Sequence, residues 1–161
     1  MTERLDACTF TIPGRLAGKG RPRATLVGGH ARLYTPDSTV KAEDRVRDAW
    51  RAAGAPWFAG EPLCMDVTLN EQRPKGHWRA DGSLNASGLR NPVPMRRPDL
   101  DNIWKLIADA LQGAAYVDDK QFVEVHIRRL WLPAAGLQES ACVEMWIPYL
   151  AREPIVLDVA A

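Results

Sequence analysis

Cysteine is scarce in this 161-residue chain, with three copies at positions 8, 64 and 142. Their odd number and wide spacing, without a Cys-x-x-Cys or a Cys/His pair, argue against a disulfide scaffold and against a thiolate zinc site. The pattern implies three reduced thiols in a cytosolic protein. Histidine is equally sparse, and His30, His77 and His126 show no ligand spacing. No apolar run approaches the roughly 20 residues that cross a bilayer, and the opening MTERLDACTF has no signal-peptide pattern, so a cytoplasmic protein with no membrane partner is expected. Net charge is almost absent at +1, so the chain as a whole is neither a polycation nor an acidic tail.

What is present is an ordinary globular composition, 46% hydrophobic and 25% charged, in a chain long enough to bury a core without staples. One domain is expected over residues 1–150, followed by an uninformative tail at 151–161. The small net charge hides a strong polarity. Arg15, Lys19, Arg21, Arg23 and Arg32 fall in one stretch without a single acid. Between Glu71 and Arg97, six positive residues (Arg73, Lys75, Arg79, Arg90, Arg96 and Arg97) face two acids. The rest of the chain is net acidic. Basic zones beside an acidic cluster suit an enzyme acting on a polyanion, although a mixed solvated surface gives the same counts.

Periodicity supplies the elements. Cys8, Phe10 and Ile12 alternate with threonines, which predicts a first strand ended by Pro13-Gly14. RATLVGGHARLY, with Gly28-Gly29 at its centre, reads as a hairpin. TPDSTVKAEDRVRDAWRAAGA reads as a helix capped by Asp37 or Ser38 and closed by Gly54. Leu63, Met65, Val67 and Leu69 mark another strand. Residues 71 to 98 lack a period and read as a long surface loop. After Pro98, Ile103, Leu106, Ile107, Ala110 and Leu111 share one helical face, while Asp101, Asn102, Lys105, Asp109 and Gln112 take the opposite arc, with Gly113 as the expected stop. Val123, Val125 and Ile127, then Val143, Met145 and Ile147, predict two closing strands. The fold class is therefore α+β: a small mixed sheet with two main helices.

The stretch RRPDLDNIWKLIADALQGAAYVDDKQ places one acid pair, Asp99 and Asp101, at the start of that helix and another, Asp118 and Asp119, beyond its end. A single aspartate at a helix start is explained by capping, worth about 1 kcal/mol. Two pairs are not. If the strand after Asp119 pairs beside the strand before the helix, the four acids can converge at one sheet edge. Two bare carboxylates about 4 Å apart repel by roughly 4 kcal/mol at an effective dielectric of 20. Lys105 alone does not neutralise such a cluster, whereas a divalent cation does, and hard oxygen donors favour Mg²⁺ or Mn²⁺. Such ions activate water and stabilise charge in phosphoryl displacement. The alternative, unrelated caps and turns, stays open at this level, and spacing does not identify a reaction. Asp109 reads as a solvated or capping acid, and Asn102 as a brace for Asp99 or a turn. Trp104, at the rim of the apolar face, suits core or dimer packing; Trp50, Trp131 and Trp146 suit internal packing; and Trp78 suits base stacking or an interface.

The same stretch resembles the signature of RusA-type Holliday-junction resolvases, in which a P-D-x-D-N-x-x-K helix leads to a D-x-L-x-G turn and a D-D-x-Q segment. Pro98, Asp99, Asp101, Asn102, Lys105, Asp109, Leu111, Gly113, Asp118, Asp119 and Gln121 fill those places. GKGRPR at 18–23 resembles the family's basic segment, and the order of elements fits to about Pro148. Gln112 stands where an asparagine is frequent, and residues 73–94 follow no family pattern. The resemblance implies a homodimeric, Mg²⁺-dependent endonuclease, often carried by phages or prophages, that resolves four-way DNA junctions by paired nicks. It implies that Asp99, Asp101, Asp118 and Asp119 hold metal, with Mn²⁺ a substitute, and that Lys105 acts beside them, stabilising charge on the phosphate because an ammonium among carboxylates stays protonated. Phosphate contacts are expected from Lys19, Arg21, Arg23, Arg73, Lys75, Arg96 and Arg97. Three other readings are a broader branched- or flap-DNA endonuclease, a junction-binding protein with purely structural acids, and a phosphatase of small substrates. The basic segments weigh against the phosphatase, and the acid quartet with Lys105 weighs against the non-catalytic binder.

Overall fold

Alternating apolar residues build a sheet whose inner face is covered by two helices. The computed structural model describes residues 4–20, 23–28 and 30–148. Its elements are β1 (Arg4–Pro13), β2 (Arg23–Val27), β3 (His30–Tyr34), α1 (Asp37–Ala52), β4 (Leu63–Glu71), α2 (Ala86–Arg90), α3 (Leu100–Leu111), β5 (Phe122–Trp131) and β6 (Ser140–Pro148). Single 3-10 turns lie at Lys75–His77 and Asp119–Gln121. The main sheet has the order β1-β6-β4-β5. β5 runs parallel to β4, while β6 is antiparallel to both β4 and β1. The fold is α+β, with one mixed sheet. β2 and β3 form a separate antiparallel hairpin, as the paired glycines predict. Arg21, Pro22, Gly29 and the tail from residue 149 lie outside the described residues.

A parallel neighbour requires a crossover, and α3 is that crossover. It packs against α1 and β5. Ile103, Leu106, Ile107, Ala110 and Leu111 are buried with Phe10, Ile12, Met65, Val67, Val143 and Met145. Each large side chain so buried contributes roughly 1.5–3 kcal/mol. Trp50 meets Phe10 edge-on at 5.4 Å, and Trp104 meets Phe122 at 4.9 Å. The polar arc of α3 stays outside, where Lys105 pairs with Asp101 at 3.3 Å.

Three expectations need correction. Val123 is exposed (64%), not inward. The β4–β5 register slips between Leu63 and Cys64, so Val123 is an extra residue on β5, while Val125, Ile127, Arg129 and Trp131 keep the inward alternation. Neither Asp37 nor Ser38 caps α1; Pro36 occupies the N-cap, and Gly54 follows the helix at φ +60°. Residues 71–98 are organised rather than a plain loop, because Asn85 caps α2 through the Ser87 and Gly88 amides and Trp78 bridges to Leu84. Side chain-to-backbone bonds make this order, and they leave no hydrophobic period.

Tyr116 closes the core beneath α3. It is wholly buried, and its hydroxyl donates to the Ala108 carbonyl at 2.6 Å. Burial, and then the charge of Asp119, push its phenol well above the ordinary 10.0. The folded state keeps a proton that the unfolded chain gives up above about pH 10, so this contribution is full below that pH and lost as pH rises. Tyr116→Phe is expected to cost about 1 kcal/mol at neutral pH. It should also flatten the alkaline loss of stability, as read by urea unfolding across pH.

Candidate active site

The first acid pair sits at the head of α3. Asp99 is the N-cap in extended conformation, yet its carboxylate makes no capping bond. Asp101 lies in the first turn, and Lys105 one turn on. The Asp101 and Lys105 side chains are more than half exposed. A solvent-open pair of this spacing is worth only about 0.3–0.5 kcal/mol, so a phosphate can compete for the ammonium. Asp99 and Asp101 line one wall of an open groove of about 760 Å³ that also includes Met95, Arg97 and Arg129.

The head is held from below by charged residues that the sequence reading missed. Arg129, with a side chain only 7% exposed, donates to the Arg96 and Pro98 carbonyls. Its Nε lies 3.4 Å from Glu71 Oε1, an ion pair without a hydrogen bond. Glu71 is 5% exposed and also pairs with Arg96, which reaches Glu139 at 2.8 Å. The Arg73 and Arg96 guanidinium groups lie 5.3 and 5.5 Å from the Trp131 ring, one turn of strand beyond Arg129. One signal was available: the alternation of Val125 and Ile127, continued, puts Arg129 on the inward face of β5, where a charge must be paired.

The second pair sits on the turn between α3 and β5. Asp118 caps the Asp119–Gln121 turn, accepting from the Lys120 amide at 3.0 Å. That amide bond, a hydrogen bond shared with Asp119, and the Lys120 charge hold its carboxyl below the usual range. Gln121 Oε1 accepts from the Val117 and Asp118 amides at 2.9 and 3.1 Å, and its Nε2 donates to the Glu61 carbonyl at 3.1 Å. The D-D-x-Q glutamine is thus a brace for the acid turn.

Among the described residues the four carboxylates do not form one close group. β5 pairs with β4 as anticipated; the Pro98 carbonyl before α3 meets Arg129 near the end of β5, while Phe122 at its start packs against Trp104 of α3 and against Tyr116. Among the described residues no three His, Cys, Asp or Glu side chains gather closely enough to hold a metal ion. The donor chemistry, hard carboxylate oxygens, fits Mg²⁺ or Mn²⁺; the arrangement in one chain gives two half-sites.

The basic candidates divide. Arg73 donates to the Gly88 and Asn91 carbonyls at 3.0 and 3.1 Å, and Arg96 is bound to Glu71 and Glu139, so both are internal ties instead of phosphate contacts. Lys19 is ion-paired with Asp109, which replaces the solvated-acid reading of Asp109. Asn102 engages through its backbone carbonyl, which accepts from the Lys19 amide at 3.0 Å. Lys75 and Arg97 are exposed. Arg21 lies outside the described residues, and for Arg23 only the backbone, in β2, is described.

Fold and site together define an α+β domain that presents paired carboxylates and a lysine on one crossover helix. The sequence matches the family model of endodeoxyribonuclease RusA over residues 13–138, so the chain belongs to the RusA family of DNA endonucleases. It is also similar to the uncharacterized protein YqaN of Bacillus subtilis (strain 168), 24% identical over 127 residues that cover 79% of this chain and 89% of that protein. No helix among the described residues is long and apolar enough to cross a membrane.

Proposed function

We propose that the protein is a Mg²⁺-dependent, structure-selective endodeoxyribonuclease that resolves four-way DNA junctions by paired symmetric nicks and works as a homodimer. The observation that carries this reading is the placement of exposed Asp99, Asp101 and Lys105 at the head of α3 and of Asp118-Asp119 on the turn that leads into β5. A two-fold dimer that sets the α3 head of each copy against the Asp118-Asp119 turn of the other joins the two pairs. Two complete carboxylate sets result, one for each of two opposed strands, as the two-fold symmetry of a junction demands.

In such a site the four aspartates would hold the metal, and Mg²⁺ would supply charge neutralisation and an activated water. Lys105, weakly held by Asp101, turns to the scissile phosphate and stabilises the charge growing on its oxygens. The α3 N-terminus adds its partial positive charge at the same end. Gln121 keeps the Asp118-Asp119 turn rigid, and Arg129 keeps Pro98 and hence Asp99 in place.

The direct test incubates purified protein and Mg²⁺ with a four-way junction, a flap and linear duplex. Selective, paired cutting of the junction is expected; equal cutting of the flap would favour a broader branched-DNA enzyme, and no cutting of any substrate would overturn the reading. Of the expected phosphate contacts whose side chains are described, Lys75 and Arg97 remain exposed and without an internal tie. Each alanine substitution there should weaken binding to all DNA alike and lower the salt slope by about one unit. Arg73→Ala should instead reduce stability and leave the slope unchanged.

A further inference from the structure

The β2–β3 hairpin has no core of its own: Ala24, Leu26, Ala31 and Leu33 are exposed on one face, and Thr25, His30, Arg32 and Tyr34 on the other. A lone two-stranded hairpin is marginal in water, so its direction must be set at its base. The base is the strap from Gly14 to Gly20. The Gly14 amide donates to the Glu139 carbonyl at 2.7 Å, and the Lys19 amide to Asn102 on the first turn of α3 at 3.0 Å. The Gly20 amide donates at 3.1 Å to Thr39 Oγ1, which belongs to a buried residue of α1. The approach leaves no room for side chains. A Cβ on Gly18 would lie 2.6 Å from the Pro98 Cβ, and one on Gly20 would lie 2.6 Å from Thr39 Oγ1. Lys19, between these two glycines, sends its ammonium to Asp109, on the same polar arc of α3 as Asp101 and Lys105.

We infer that Asp109 is a positioning residue: through Lys19 it locks the strap against the head of α3 and so aims the β2–β3 hairpin, which engages duplex DNA. A two-stranded ribbon fits the major groove, and Arg32, Thr25 and His30 share the polar face that such a ribbon presents. Pro98 and Asn102, which the strap touches, flank Asp99 and Asp101, so one lock registers the hairpin and the acid pair to a single duplex arm. Lys19 is thereby assigned to the lock and not to a phosphate.

This inference rests on the proposed function, and the experiment separates the two. Junction binding and cleavage are measured for wild type, Asp109→Asn, Asp109→Glu and Lys19→Ala, with hydrogen exchange of the Lys19 and Gly20 amides followed in the DNA-free protein. Asp109→Asn is expected to speed exchange at both amides. It should raise KM for a four-way junction about tenfold with kcat and Mg²⁺ dependence retained, and Asp109→Glu should restore both readouts. Lys19→Ala should match Asp109→Asn without lowering the salt slope. If wild type neither binds nor cuts the junction, the functional reading fails. If wild type cuts and Asp109→Asn matches it in KM and exchange, only the lock is overturned. The same holds if Lys19→Ala lowers the salt slope while Asp109→Asn is silent, since Lys19 would then be a phosphate contact.

Discussion

Asp101→Asn is expected to abolish cleavage of a four-way junction at normal Mg²⁺, a loss of more than about 100-fold, while the protein stays folded. Removing a group that merely supports a metal ligand typically costs 10–100-fold, so loss of a ligand itself should exceed that. The substitution is nearly isosteric, and the Asp101 side chain is 63% exposed, so stability should change by no more than about 0.5 kcal/mol. Junction binding should survive or tighten, because a negative charge near phosphate is gone. Asp119→Asn should behave alike from the turn that leads into β5. Normal cleavage in both variants, measured beside wild type on one gel, would show that these carboxylates are not the metal site.

Arg129→Ala is expected to be the most damaging change away from the acids. It removes the donor to the Arg96 and Pro98 carbonyls and one of two cationic partners of buried Glu71. Breaking a buried ion pair by deleting one partner costs about 3–5 kcal/mol. Lysine should not rescue it, since one ammonium does not reproduce the planar fork that spans two carbonyls. Because Pro98 precedes Asp99, the surviving folded fraction should also cut slowly. Urea unfolding of Arg129→Ala within 1 kcal/mol of wild type would show that the head of α3 is held by something else.

The contrast between these two residues shows what was legible in the sequence. Asp101 and Lys105 stood out because one helical turn separates them and the apolar stripe fixes which arc they occupy. The strands from Cys8, Leu63 and Ser140, the Gly28-Gly29 hairpin and α3 were all readable from period alone, for the same reason. Arg129 was legible as inward, because the alternation of Val125 and Ile127 continues to it, but alternation does not say what meets it. Glu71, Arg96 and Glu139, its partners and theirs, are scattered along the chain, and no local pattern joins them. Arg73 and Arg96 looked like DNA contacts because a basic count does not reveal that Glu71, Trp131 and carbonyls of the 71–98 segment already occupy them. That the four carboxylates form no close group among the described residues was illegible for a geometric reason. Sequence order gives the strand pairing, but only the direction of α3 along the sheet decides which ends meet.

That arrangement makes the central claim testable in one experiment. Asp101→Asn and Asp119→Asn, each inactive alone, are mixed in equal amounts, allowed to exchange subunits, and assayed for nicking of a four-way junction. If each site takes its first pair from one protomer and its second from the partner, a mixed dimer holds one site with both lesions and one with none. Half of the dimers are then mixed and one site in two is intact, so about a quarter of wild-type nicking should return, as single nicks without paired resolution. If every site lies within one chain, the mixture stays as inactive as its components, and the composite arrangement is wrong.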